Sequence, residues 1–96
     1  PGDAARGLAD ALLRDGLVAC VNFVGPLVSR YVWQGAIEEA REVLLVMKTS
    51  ADRVAELRQR IVALHSYQVP EVIELPVEGG YGPYLQWVLD TCAAKR

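Results

Sequence analysis

Along this chain, apolar residues recur first with a helical period, then in long β-type runs, then with a helical period again. Behind Asp3, the residues Ala5, Leu8, Ala9, Leu12 and Leu13 repeat at helical spacing, while Arg6, Asp10, Arg14 and Asp15 fall on the other side. An amphipathic helix ending at Gly16 is expected, with Asp3 at its electropositive start. Val18 to Trp33 is rich in Val, Phe, Tyr and Trp and is broken only by Gly25-Pro26. It reads as one long strand, bent where a proline cannot donate to a ladder. Gln34-Gly35 is a weaker relative of the Asn-Gly hairpin signal, and Ala36 to Lys48 returns as a second long strand.

Thr49-Ser50-Ala51-Asp52 offers a hydroxyl cap followed by an acidic residue, and Val54, Leu57, Ile61 and Leu64 mark the apolar face of a second helix. Pro70 biases the residue before it toward extended geometry, so Val72-Ile73-Glu74-Leu75-Pro76 reads as a short strand closed by a proline. Gly79, Gly80 and Gly82 form a turn. Pro83 suits the first turn of a final helix carrying Leu85, Val88, Leu89 and Cys92 and ending in Lys95 and Arg96. The order predicts an α+β fold: a ferredoxin-like (split βαβ) antiparallel sheet with helices on one face, a long bent hairpin, the first strand missing and an extra C-terminal helix. The missing strand belongs in mid-sheet, between the hairpin and the last strand, where its loss leaves ladder groups without partners. With no repeat, linker or low-complexity tract, residues 1–96 are expected to form one domain.

Composition adds an expectation of assembly. Ninety-six residues lie near the lower end of what one apolar core stabilises alone, yet 52% of them are hydrophobic. Part of that surface is expected to be buried between copies. Each predicted long strand is more than twice the usual five or six residues, giving more edge than a monomer of this size can cover. Ten basic and twelve acidic residues leave a net charge of −2, with no basic block to neutralise phosphates, so nucleic acid is not an expected partner. No apolar run approaches the roughly 20 residues of a membrane span, and no charged-then-apolar pattern opens the sequence, so neither a span nor a leader is expected. Cys20 and Cys92 form neither a CxxC pair nor a disulfide framework, so a reduced, cytoplasmic setting is expected.

Candidate chemistry centres on Leu64-His65-Ser66-Tyr67-Gln68-Val69-Pro70-Glu71, which puts the only histidine, a tyrosine and a carboxylate at the exit of the second helix. Neutral imidazole is a common ligand of copper and zinc, but transition-metal sites usually take three or four ligands, and one helix-terminal histidine more often simply hydrogen-bonds. Lys48 and Glu71 are expected to converge on the His65 loop from strand ends. Ser29, Tyr31 and Trp33 share one strand face, as an interface or an aromatic platform beside a cleft. Glu38, Glu39 and Glu42 are expected to be solvated, and Cys20 and Cys92 to pack as small hydrophobes. No phosphate loop, nucleophile elbow, HExxH or zinc spacing is present, so no enzyme is expected.

The segment Ala19-Cys20-Val21-Asn22, the aromatic hairpin around Tyr31 and Trp33, and the run Leu64 to Glu71 together resemble the CutA family of divalent-cation-tolerance proteins. The resemblance runs from about Asp3 to Cys92. It implies a homotrimer whose long strands pair with those of neighbours, leaving clefts at the subunit boundaries lined by Trp33, Lys48, Tyr67 and Glu71. It also implies a link to copper or another divalent cation. Of the family's copper ligands only His65 carries over, because the cysteine lies in the strand missing here and Leu64 stands where some relatives have another histidine. The expected function is a non-enzymatic, trimeric metal-tolerance or metal-binding protein. The alternatives are a PII-like regulator holding a small anion or metabolite through Lys48, His65, Tyr67 and Glu71, a purely structural trimer, and, weakest, an acylphosphatase-like hydrolase.

Overall fold

A computed structural model of the chain describes residues 2–65 and 68–93. Its elements are α1 (Gly2–Arg14), β1 (Cys20–Trp33), β2 (Ala36–Lys48), a 3-10 turn (Ala51–Arg53), α2 (Val54–Leu64) and α3 (Gly82–Ala93). The architecture is α+β, as expected, and β1 and β2 form a two-stranded antiparallel sheet. α1 stops where Gly16 enters the left-handed region at φ 71°. There the Leu17 N–H reaches the Leu12 carbonyl at 3.1 Å and the Gly16 N–H reaches that of Leu13 at 3.1 Å. This is a Schellman ending, and it swings Leu17 back onto Leu12 in the core.

The hairpin closes through Gln34 at φ 52° and Gly35 at φ 82°, the paired positive values that a two-residue type I′ turn requires. Cys20 pairs with Lys48 at the base and Trp33 with Ala36 at the tip. Between them the register slips: Val24 faces Leu44 but Leu27 faces Glu42, so β1 carries one extra residue at Gly25-Pro26. Gly25 sits at φ 146°, and a Cβ there would lie 3.0 Å from the Glu42 carbonyl oxygen and 3.1 Å from the Leu27 nitrogen. The bulge therefore needs glycine on both counts.

The core lies at the base of the hairpin. Leu12, Leu17, Val18, Leu57 and Ile61 are buried together, with Leu8, Val21, Met47 and Val72 packed around them. A second cluster joins Ala19 to Val88 and Cys92 of α3. Toward the tip this cover runs out, and Val28, Val32 and Ile37 are 60%, 71% and 69% exposed.

Three expectations are corrected. Val72 to Pro76 forms no strand, because no described segment lies beside it to complete a ladder; only Val72 packs, against the helical core. Nor do the hydroxyls of Thr49 and Ser50 cap the second helix. The Ser50 hydroxyl donates to the Asp52 carboxylate at 2.6 Å, and that of Thr49 to the Leu17 carbonyl at 2.7 Å, binding the strand end to the α1 exit instead. Leu64 is exposed rather than core-facing. The basic end expected at Lys95 and Arg96 lies outside the described residues.

Truncating Leu12, which is fully buried, is expected to cost about 2–5 kcal/mol, read as a lower urea midpoint at fixed protein concentration. Gly25→Ala is expected to destabilise by more than about 1 kcal/mol although it adds only a methyl group. An unchanged midpoint for Gly25→Ala would show that the bulge relaxes freely.

Candidate functional site

Polar side chains gather at the base of the hairpin, where the two strands end and three helices meet. The Ala19 N–H donates to the Lys48 carbonyl at 2.8 Å, extending the ladder one step. On the sheet face opposite the core, the half-buried Lys48 points its ammonium at the Cys20 sulfur, 3.8 Å away. Cys20 is thus half-buried beside a cation, not the enclosed small hydrophobe expected. Cys92 is fully buried, as expected, with its sulfur 3.5 Å from the Thr49 hydroxyl.

Arg53 ties this corner together. It is only 7% exposed, and its Nε and Nη2 both donate to the Cys92 carbonyl, at 3.3 and 3.1 Å. The planar guanidinium fork suits such a two-pronged contact, and it satisfies one of the carbonyls left open at the electronegative end of α3. Nη1 donates to Glu56 at 2.9 Å, so the buried cation has an anionic partner. Among the described residues no buried side-chain nitrogen or oxygen lacks a partner. Sequence reading missed Arg53, yet a signal was there: it stands four residues before Leu57 and eight before Ile61, in phase with the buried side of α2.

His65 is the C-cap of α2, half-buried and extended at φ −79°, ψ 141°, with its N–H donating to the Ile61 carbonyl at 2.9 Å. Glu71 is exposed, and Tyr67 lies outside the described residues. Trp33 lies far from the base of the hairpin. It sits at the opposite end of β1 from Cys20, thirteen residues away, which at about 3.3 Å per residue is roughly 40 Å. Ser29 and Tyr31 share its face, the face that also carries Lys48 and Cys20. Glu38 and Glu42 sit across from Tyr31 and Leu27, while Glu39 forms an exposed ion pair with Arg30 at 2.9 Å. Among the described residues, no three His, Cys, Asp or Glu side chains come together as a metal-binding group.

Residues 2–91 match the family model described as "CutA1 divalent ion tolerance protein". The chain belongs to the CutA1 family. It is 44% identical over 86 residues to the divalent-cation tolerance protein CutA of Thermus thermophilus, covering 90% of this chain and 84% of that one. A solved structure of the Thermus protein superposes with a TM-score of 0.91 at 42% identity over 95% of this chain and 88% of that one. Protein CutA of Homo sapiens is 46% identical over 84 residues, but this chain spans only 47% of it. A structure described as the PII-like protein CutA from Nostoc sp. PCC 7120, in apo form, matches with a TM-score of 0.90 at 33% identity over 96% of this chain and 89% of that one. The fold is accordingly that of the CutA and PII-like proteins. No described helix is long and apolar enough to cross a membrane.

Arg53→Ala is expected to cost about 1–3 kcal/mol, because it orphans a buried carbonyl. Arg53→Lys, which keeps the charge but loses the fork, is expected to recover only part of that loss. Amide exchange should quicken in the last turn of α3 before it does in α1. Uniform acceleration across both helices would show that Arg53 does not hold the end of α3.

Proposed function

We propose that this chain acts as a non-enzymatic, trimeric divalent-cation tolerance protein that binds copper or a similar cation at the subunit boundary, with His65 as the ligand supplied by each copy. The observation carrying this reading is the uncovered outer half of the hairpin. Its apolar side chains and its strand edges, which pair with no other described segment, are what a sheet presents to another copy of itself. The family match supplies the link to divalent cations. A closed copper centre does not fit the donors one chain brings together, since His65 has no cluster of further ligands around it among the described residues. It fits one ligand of a site completed by other copies or by solvent. The unbridged Cys20 and Cys92 suit a reducing compartment such as the cytoplasm.

A second reading is favoured by Lys48. Its ammonium has no carboxylate partner among the described residues, only the Cys20 sulfur. A small anion or metabolite in the same cleft would supply one, with Lys48, His65, Tyr67 and Glu71 around it and Trp33 arriving from a neighbour. Such a PII-like role agrees with the likeness to the Nostoc protein. Because about 40 Å of strand separates Trp33 from Lys48, any cleft lined by both takes two copies.

Sedimentation equilibrium at micromolar concentration is expected to give three times the chain mass, and the paired change Val32→Asp with Ile37→Asp to lower it. A monomer in the unaltered protein would remove the cleft altogether. In calorimetric titration with copper(II), His65→Ala is expected to weaken binding by about tenfold or more. Unaltered affinity would reject the metal role of His65, and loss of metabolite binding on Lys48→Ala would support the regulator instead.

A further inference from the structure

The bulge that bends β1 also opens a depression on the helix side of the sheet, the face opposite Lys48. It measures about 450 Å³ and is lined by Arg6 of α1, by Phe23, Gly25 and Pro26 of β1, and by Arg41 and Val43 of β2. That volume lies within the range of about 300–1,000 Å³ typical of small-molecule sites. Its floor is apolar and its rim carries two cations. The Arg6 guanidinium carbon lies 5.7 Å from the centre of the Phe23 ring, which settles the cation on an apolar surface. Among the described residues, neither Arg6 nor Arg41 has a carboxylate within ion-pair distance, whereas Arg30, Arg53, Arg58 and Arg60 each have one. Glu42 also borders the depression, but it pairs with Leu27, so strand alternation sends its carboxylate to the opposite face and leaves its backbone here. Gly25 adds no side chain to fill the space.

We propose that this depression binds small amphipathic organic anions, with the acid group held by Arg6 and Arg41 and the apolar body resting on Phe23, Pro26 and Val43. Guanidinium groups recognise carboxylates and sulfonates through charge-assisted hydrogen bonds, and two of them flanking an apolar floor select a ligand with both characters. The site uses neither His65 nor Lys48, so it stands or falls separately from the function proposed above.

The test is a titration of the 15N-labelled full chain with 2-naphthalenesulfonate, and in parallel with uncharged 2-naphthalenemethanol, followed by amide chemical shifts. The sulfonate is expected to shift Phe23, Gly25 and Val43 saturably and to bind about tenfold or more tightly than the alcohol, the factor that 1.4 kcal/mol represents. Replacing Arg6 and Arg41 together by glutamine should remove that advantage, and Arg14→Gln should leave it intact. Equal affinity for the two probes, an unaltered Kd in the double variant, or the absence of saturable shifts at Gly25 would each overturn the proposal. The last result is what a depression closed by a neighbouring copy would give.

Discussion

The constraint on which the rest of this structure depends is a hairpin too long for the helices that pack on it. Backbone hydrogen bonding makes β1 and β2 register along their length, from Cys20 and Lys48 to Trp33 and Ala36. Only the base of that ladder is buried against α1 and α2, while the described outer edges of both strands carry no ladder partner. A strand pair cannot shed its edges except by closing into a barrel or by meeting another strand. The excess apolar content of the chain, its exposed Val28, Val32 and Ile37, and the roughly 40 Å that separates Trp33 from Lys48 all express this one mismatch.

What holds the base firm is a set of short polar ties between segments distant in sequence. Gly16 turns Leu17 into the core, and the carbonyl of Leu17 is then taken by the Thr49 hydroxyl at the end of β2. Two residues further on begins the turn that presents Arg53 to the end of α3. The Gly16 turn and the Arg53 fork each satisfy a carbonyl that the end of a helix leaves open, and the Thr49 hydroxyl takes that of Leu17, so the three helix ends and the strand ends come to share one corner. Lys48 and Cys20 are placed there as by-products of that locking, on the face of the sheet the helices leave free.

Much of this was legible from side-chain pattern. The bounds of β2, the Gln34-Gly35 turn and the stop of α1 at Gly16 follow from local chemistry that needs no distant partner. Expectations failed where a distant partner decides. Val72 to Pro76 has the composition of a strand but no neighbour among the described residues to bond with, and the Thr49 and Ser50 hydroxyls found better acceptors than the helix they precede. Arg53 was hidden among the charged residues around the start of α2 even though its spacing from Leu57 and Ile61 sets it on the buried side. The candidate site was legible as a set of residue types and only partly as a place, because the register that puts Trp33 and Lys48 at opposite ends has to be counted along the strands.

The bulge at Gly25 decides which chemistry faces which way. Before it, Val21 and Phe23 point to the helix side of the sheet; with strict alternation, Ser29, Tyr31 and Trp33 would follow them there. The extra residue reverses the parity, so Val28 pairs with Arg41 on the helix side while Tyr31 and Trp33 join Cys20 and Lys48 on the other. One face therefore carries the aromatic tip and the lysine that a composite cleft between copies would use, and the other carries the arginines above Phe23. A single inserted residue, held by a glycine that no side chain can replace without meeting the Glu42 carbonyl, keeps the two sets of groups apart.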